Sequence, residues 1–158
     1  MNIIKILIVE DDKDISTMYK IKFQKEGFNV KVVENGLDAV TEVTEFKPHV
    51  ILLDIMMPSM DGFETLRVIR ELAPSLHTKI IMLSNLNSKE DIEKSMRLGA
   101  NAYLLKASTT PKEVVDKVKE FFTTQEEEGK QDIKIESNKN LSEHKCPHCG
   151  KEIKITLE

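Results

Sequence analysis

The chain has 158 residues, of which 40% are apolar and 32% are charged. This composition is sufficient for one well-packed domain with a short extension. The net charge of −4 argues against a nucleic-acid binder that works through bulk positive charge. No stretch approaches the roughly 18–20 apolar residues of a membrane helix, and the N-terminus lacks the features of a signal peptide. We therefore expect a cytoplasmic protein that contacts no membrane.

Short apolar runs alternate with amphipathic segments along the first 123 residues. The apolar runs predict strands over residues 3–9, 28–33, 50–53, 80–83 and 102–105. The amphipathic segments predict helices over residues 14–26, 37–44, 62–72, 88–98 and 111–122. Ser88 is a plausible N-cap, Pro111 suits a helix start, and Gly27 and Gly99 suit helix ends. Strict alternation of strands and helices predicts a doubly wound α/β fold, with a parallel sheet covered on both faces.

Polar side chains follow four of the five predicted strands. Glu10, Asp11 and Asp12 follow the first strand, and the third, fourth and fifth strands are followed by Asp54, Ser84 and Lys106. Each residue alone is more ordinary as a helix cap, a turn residue or a surface charge. Together they meet at the carboxyl edge of the sheet, where such folds bind ligands. Carboxylates, a hydroxyl and an amine are suited to a divalent cation and a phosphoryl group.

Three segments carry a resemblance to a known family. They are ILIVEDD at residues 6–12, DIMMPSMDG at residues 54–62 and GANAYLLK at residues 99–106. With these segments, residues 3 to about 122 resemble the receiver domain of bacterial two-component response regulators. The resemblance implies a flavodoxin-like (CheY-like) fold with strand order 2-1-3-4-5.

The resemblance also implies a role for each site residue. Asp54 would accept a phosphoryl group from a histidine kinase or phosphotransfer protein, and Lys106 would pair with that group. Ser84 and Tyr103 would act as switch residues. The Mg²⁺ ligands would be Asp11, Asp54 and the backbone carbonyl of Met56, with Glu10 acting through water. Asp12 is a weaker candidate.

The expected function is a phosphorylation-activated switch that signals by protein contact, or a relay intermediate, and not a free-standing enzyme. An alternative is a degenerate receiver that serves as a constitutive binding or dimerisation module. A small phosphatase or nucleotide-binding enzyme is disfavoured, because no glycine-rich phosphate loop follows the first strand. A homodimer is left open, and direct DNA binding is not expected.

Three positions depart from the family pattern. Ala107 stands where a proline, often cis, usually follows the lysine, and a cis Lys106–Ala107 bond would cost about 2.5–4 kcal/mol. We therefore predict a trans bond. Asn85 replaces a small residue near the site. Asn101-Ala102 replaces an acidic pair that is common in regulators that dimerise through salt bridges, which weakens the inference of that dimer.

The sequence after residue 123 differs in character. We predict a receiver domain over residues 1–123, a charged linker over 124–143 and a Cys-x-x-Cys tail over 144–158, with a short hairpin of residues 131–135 and 153–157. Cys146 and Cys149 resemble one knuckle of a zinc ribbon, and His144 is a candidate third ligand. A fourth ligand would come from a second chain or a partner. The alternatives are a redox dithiol and a metal-free end.

Overall fold

The computed structural model describes residues 3–72 and 77–135, with side chains described as far as residue 123. The strands are β1 Lys5–Val9, β2 Asn29–Val33, β3 Val50–Leu53, β4 Lys79–Ser84 and β5 Ala102–Leu105. The helices are α1 Lys13–Lys25, α2 Gly36–Glu45, α3 Gly62–Leu72, α4 Lys89–Arg97 and α5 Pro111–Ile135. All ten predicted elements are present in the predicted order, and β3, α3 and β5 have the predicted bounds.

The five strands form one parallel sheet in the order β2-β1-β3-β4-β5. This order confirms the doubly wound, flavodoxin-like fold. After β1, the chain adds β2 on one side of β1 and then adds β3, β4 and β5 on the other side. The carboxyl ends of β1 and β3 therefore border the crevice in which such folds bind ligands.

Apolar side chains cover both faces of the central strands. Ile51 and Leu53 of β3 belong to a buried cluster with Val43 of α2 and Leu66 of α3. The strand β1 is equally buried from Ile6 to Val9, because parallel strands have helices on both faces and therefore carry continuous apolar runs. Close packing of this core holds the strand ends, and the side chains that follow them, in a fixed arrangement.

Local signals account for most helix ends. The side chain of Asp12 caps α1, and that of Ser88 caps α4, as the sequence predicts. Helix α1 ends with backbone bonds from Gly27 to Gln24 and from Phe28 to Phe23, which is a Schellman motif.

Helix α5 is longer than the sequence analysis predicts. It continues to Ile135, so the helix end expected between residues 123 and 129 is wrong, and residues 131–135 are helical instead of forming a hairpin strand. Glutamine, glutamate and lysine dominate this stretch and favour helix, and the single Gly129 costs only about 1 kcal/mol there. No proline interrupts the sequence between Pro111 and Pro147.

The chain divides into two compact units, Met1–Val118 and Lys119–Glu158. The first unit contains the whole sheet, and the second contains the C-terminal part of α5. Residues 136–158, on which the predicted tail and its strand fall, lie outside the described residues.

The described residues also bear on the predicted trans peptide bond and on membrane-spanning helices. They contain no cis peptide bond, so the trans geometry predicted for Lys106–Ala107 is confirmed. None of the helices within these residues is long and apolar enough to span a membrane.

Candidate functional site

Three carboxylates meet at the carboxyl ends of β1 and β3. One carboxylate oxygen from each of Glu10, Asp11 and Asp54 lies within 4.8 Å of the others. The two strands pair in register up to Val9 and Leu53, so the residues that follow them become neighbours. Glu10 is only 4% exposed and Asp54 only 5%, whereas Asp11 faces solvent. The structure therefore brings together the acidic residues that the sequence analysis assigns to one site.

Lys106 places a cation against the two buried carboxylates. Its Nζ lies 2.5 Å from Oε2 of Glu10 and 3.3 Å from Oδ2 of Asp54. Its backbone amide donates to the carbonyl of Ser84 at 2.9 Å, which fixes the start of the segment after β5. The site thus holds its own positive charge close to the carboxylate that would react.

Burial changes the acidity of all three groups. It raises the pKa of Asp54 and of Glu10 above their ordinary values, and the nearby Lys106 offsets this effect only in part. Burial by itself lowers the pKa of Lys106, but the hydrogen bond that Lys106 donates to Glu10 and the charge of Asp54 outweigh it and raise the pKa. The ammonium group therefore stays charged, while the two carboxylates lack sufficient compensation for their negative charge.

The loop after β3 packs tightly against Asp54. The amide of Gly62 donates to the carbonyl of Ile55 at 2.8 Å, and a Cβ atom at Gly62 would lie 2.2 Å from the carbonyl oxygen of Asp54. The amide of Met56 points toward Oδ1 of Asp54 at 3.4 Å. The role of Gly62 was missed by the sequence analysis, because its only signal was a glycine at the first position of a helix.

Ser84 and Tyr103 both contact the loop between β4 and α4. The Oγ of Ser84 accepts a hydrogen bond from the amide of Leu86 at 3.3 Å, and the hydroxyl of Tyr103 donates to the carbonyl of Leu86 at 2.5 Å. The two predicted switch residues therefore share one backbone partner. The sequence analysis missed Leu86, because Leu86 takes part through its backbone amide and carbonyl groups, which do not depend on the residue type.

Of the remaining candidates, Asp12 lies within the described residues and the three possible zinc ligands do not. Asp12 serves as the cap of α1, where its Oδ1 accepts from the amides of Asp14 and Ile15. Its own amide donates to Oε1 of Glu10 at 3.2 Å, so it supports the site through its backbone. His144, Cys146 and Cys149 lie outside the described residues, and the zinc site stays a prediction.

The donor set suits a hard divalent cation. Carboxylate oxygens are the ligands that Mg²⁺ and similar ions prefer. Both oxygens of Glu10 already accept hydrogen bonds, one from Lys106 and one from the amide of Asp12. The contacts of Asp54 are longer, at 3.3 Å to Lys106 and 3.4 Å to the amide of Met56, and Asp11 faces solvent. Asp11 and Asp54 are therefore better placed to bind a cation directly, and Glu10 is better placed to act through water.

Comparisons with known proteins agree with this arrangement. A family model described as the response regulator receiver domain matches residues 6–119. The chain is 31% identical over 153 residues to the DNA-binding response regulator MtrA of Mycolicibacterium smegmatis, covering 96% of this chain. It spans 65% of that protein's length, which is less than two thirds.

Solved structures extend the likeness to the fold. A CheY-like receiver domain from Methanospirillum hungatei JF-1 superposes with a TM-score of 0.73 at 31% identity, over 80% of this chain and 99% of that one. The BeF3-activated DrrB receiver domain superposes with a TM-score of 0.69 at 33% identity, over 77% of this chain and 99% of that one. The family match, the strand order and the acidic crevice agree, and the chain belongs to the response regulator receiver family.

Proposed function

We propose that this protein accepts a phosphoryl group on Asp54 and uses the resulting change to control protein–protein contact. The observation that carries the proposal is the position of Asp54, which is buried at the end of β3 beside two other carboxylates and 3.3 Å from Lys106. A turn residue would have no need of this burial or of a buried ammonium partner. The donor we propose is a phosphohistidine on a histidine kinase or phosphotransfer protein.

The transfer makes one bond and breaks another. An oxygen of Asp54 attacks phosphorus, the P–N bond to the donor imidazole breaks, and the imidazole keeps the electron pair and takes a proton. Hydrolysis later removes the phosphoryl group. Water attacks phosphorus, the bond from phosphorus to the Asp54 oxygen breaks, and the carboxylate of Asp54 is restored. We therefore propose a switch with its own slow phosphoryl chemistry, not a free-standing enzyme.

Asp11 and Asp54 would hold a divalent cation, which we propose is Mg²⁺, with Glu10 acting through water. A bound Mg²⁺ supplies positive charge to the phosphoryl oxygens as negative charge develops on them. Lys106 would support the same charge, because its ammonium group already lies against Asp54. Glu10 holds that ammonium group in place through its Oε2 atom.

The proposed output begins at the loop between β4 and α4. Ser84 lies at the end of β4, next to β3, and a serine hydroxyl there can donate to a phosphoryl oxygen on Asp54. Movement of Ser84 bears directly on Leu86, and through Leu86 on Tyr103. We propose that a partner protein recognises this altered surface. The MtrA relatives are named as DNA-binding regulators, but the receiver described for this chain presents no bulk positive charge for DNA.

The decisive experiment measures phosphorylation of the full chain. The protein is incubated with acetyl phosphate and Mg²⁺, and its intact mass is recorded over time. We expect a mass increase of one phosphoryl group, which disappears when Mg²⁺ is chelated or when Asp54→Asn is introduced.

Asp61→Asn is the matched control, since Asp61 lies in the same loop and asparagine also caps a helix well. This variant should be phosphorylated like the native chain. An adduct that forms at full yield on Asp54→Asn would refute the assignment.

A further inference from the structure

Arg70, in the last turn of α3, makes three side-chain hydrogen bonds away from the acidic crevice. Its Nε donates to the carbonyl of Gly99 at 3.0 Å, its Nη1 to the carbonyl of Thr78 at 2.8 Å and its Nη2 to Oδ1 of Asn101 at 2.8 Å. These acceptors belong to the end of α4, the segment before β4 and the segment before β5. We call these four residues the Arg70 clamp.

The acceptors of the clamp are themselves fixed. Oδ1 of Asn101 also accepts from the amide of Ile80 at 2.9 Å, and the amide of Asn101 donates to the carbonyl of Ile80 at 2.8 Å. The hydroxyl of Thr78 donates to the carbonyl of Pro48 at 2.9 Å in the protein interior. The guanidinium group therefore joins α3 to backbone that the sheet already holds, and three charge-assisted hydrogen bonds resist its displacement.

Gly99 makes room for the clamp. Its φ of +108° lies in the region that favours glycine, and an added Cβ atom would lie 3.1 Å from Cγ of Arg70. The amides of Gly99 and Ala100 donate to the carbonyls of Met96 and Ser95, which closes α4 with a Schellman motif. The C-terminal end of α4 is thus held by its own backbone and by Arg70.

The opposite end of α4 is held by different contacts. The preceding loop is joined to Ser84 and Tyr103 through Leu86, and these are the residues that we propose respond to phosphorylation. Along α4 itself, only Ser95 is buried. A helix of nine residues, about 13 Å long, therefore has one end attached to switch residues and the other attached to Arg70.

We propose that the Arg70 clamp confines the response to phosphorylation to the N-terminal end of α4 and the loop before it, with Gly99 as the pivot. Arg70 acts here as a positioning residue, at the amino edge of the sheet and away from the carboxylates. The inference rests on the proposed function, because it describes how the switch at Ser84 reaches the surface. Loss of the clamp lets both ends of α4 change together.

Amide hydrogen exchange measured by NMR on the full chain tests the clamp first in the unphosphorylated form. In Arg70→Gln, we expect the amides of Leu98, Gly99 and Ala100 to exchange at least about tenfold faster than in the native chain. The amide of Leu52 in the central strand β3 reports on global stability. A purely global loss of stability would accelerate Leu52 by the same factor and would overturn the proposal.

The same spectra are then recorded with Mg²⁺ and beryllofluoride, a mimic of the phosphoryl group. In the native chain, Leu86 and Asp91 should change while Leu98 to Ala100 do not, and in Arg70→Gln both groups should change. Equal changes at both ends of native α4 would overturn the pivot. The matched control is Arg67→Gln, because Arg67 lies on the same helix and its ion pairs among the described residues are with the exposed Glu64 and Glu71. It should behave like the native chain.

Two outcomes separate this inference from the proposed function. If beryllofluoride changes nothing at Leu86 and acetyl phosphate yields no adduct, the proposed function fails, and the pivot fails with it. The exchange rates of the unphosphorylated chain still decide whether Arg70 holds the end of α4.

If Arg70→Gln does not fold, Asn101→Ala replaces it, because it removes one acceptor of the clamp and should give a smaller acceleration of exchange at the same three amides.

Discussion

At the scale of single residues, the site is a small group of charges that the fold keeps away from water. Glu10 and Asp54 are almost fully buried and share one ammonium group, that of Lys106. A folded chain without a bound cation therefore holds more negative than positive charge in this crevice. Buried carboxylates that lack sufficient positive charge around them lower the free energy of unfolding, and this loss can be measured.

The pH dependence of stability should reveal the charge on Asp54. Burial raises the pKa of Asp54 in the folded chain, so its contribution to stability is complete below the ordinary pKa of an aspartate and is lost as the pH rises through the raised value. Asp54→Asn removes this loss. With a chelator present, we expect the variant to have a higher urea midpoint than the native chain at about pH 7, and a smaller advantage near pH 4. A native chain that is more stable than the variant at about pH 7 would contradict the prediction.

A second residue prediction concerns Gly62. A Cβ atom there would lie 2.2 Å from the carbonyl oxygen of Asp54, and that oxygen is backbone that cannot move aside easily. We expect Gly62→Ala to lower the free energy of unfolding by about 1–3 kcal/mol, through overpacking, and to slow phosphorylation by shifting Asp54. Chemical denaturation and the rate of adduct formation measure the two effects. If the free energy of unfolding and the rate of adduct formation both equal those of the native chain, the prediction is wrong and the loop can accommodate the added methyl group.

At the scale of elements, the least expected finding is the length of α5. The family match ends at residue 119, but the helix continues to Ile135. The sequence between these points is rich in charged helix formers and poor in large apolar residues. Propensity alone can sustain such a helix only weakly, so its interior should be sensitive to a single helix breaker.

Gly129 provides the test of this helix. A proline inside a helix removes one hydrogen bond and costs about 3 kcal/mol, whereas a proline in a linker costs little. We expect Gly129→Pro to reduce the far-ultraviolet helical signal by circular dichroism, and Gly129→Ala to preserve or increase it. An unchanged signal in Gly129→Pro would instead support the linker that the composition predicts.

The Cys-x-x-Cys segment is a separate prediction that rests on sequence. If Cys146, Cys149 and His144 bind zinc, with a fourth ligand from a second chain or a partner, purified protein should contain about half a zinc ion per chain or more. Elemental analysis of the native chain and of Cys146→Ser measures this, and the variant should lose the metal. Native protein free of zinc would remove the hypothesis.

At the scale of the whole molecule, folding and cation binding should be linked. A cation that binds only the folded chain raises the free energy of unfolding by about 2.7 kcal/mol when present at 100 times its dissociation constant. The carboxylates of Glu10, Asp11 and Asp54 are brought together only by the pairing of β1 with β3, so the unfolded chain cannot offer this site.

We therefore expect Mg²⁺ to raise the melting temperature of the native chain, and to raise it much less in Asp11→Asn. Thermal melts at increasing Mg²⁺, with ionic strength held constant by KCl, measure the shift. Glu64→Gln is the control, since Glu64 is an exposed acid on α3 that pairs with Arg67 and lies outside the group of three carboxylates. An equal shift in Asp11→Asn would mean that Mg²⁺ stabilises the protein elsewhere.

The sequence by itself determined the order of the elements and the identity of the residues that meet at the crevice. Strands and helices differ in the spacing of their apolar residues, and parallel strands bring their carboxyl ends to one edge, so Asp11, Asp54 and Lys106 could be assigned in advance. One local signal failed where neighbouring residues had the greater influence, because the helix formers after residue 123 outweighed the single Gly129.

Only the tertiary structure decided how these residues are bonded to one another. The preference of Lys106 for Glu10, the shared use of Leu86 by Ser84 and Tyr103, and the three bonds of Arg70 join residues that are far apart in the chain. The close approach of Gly62 to Asp54 depends on the path of a loop. Periodicity and residue type describe what a segment favours locally, whereas these contacts depend on how packed segments meet, and that is fixed only when the whole domain is folded.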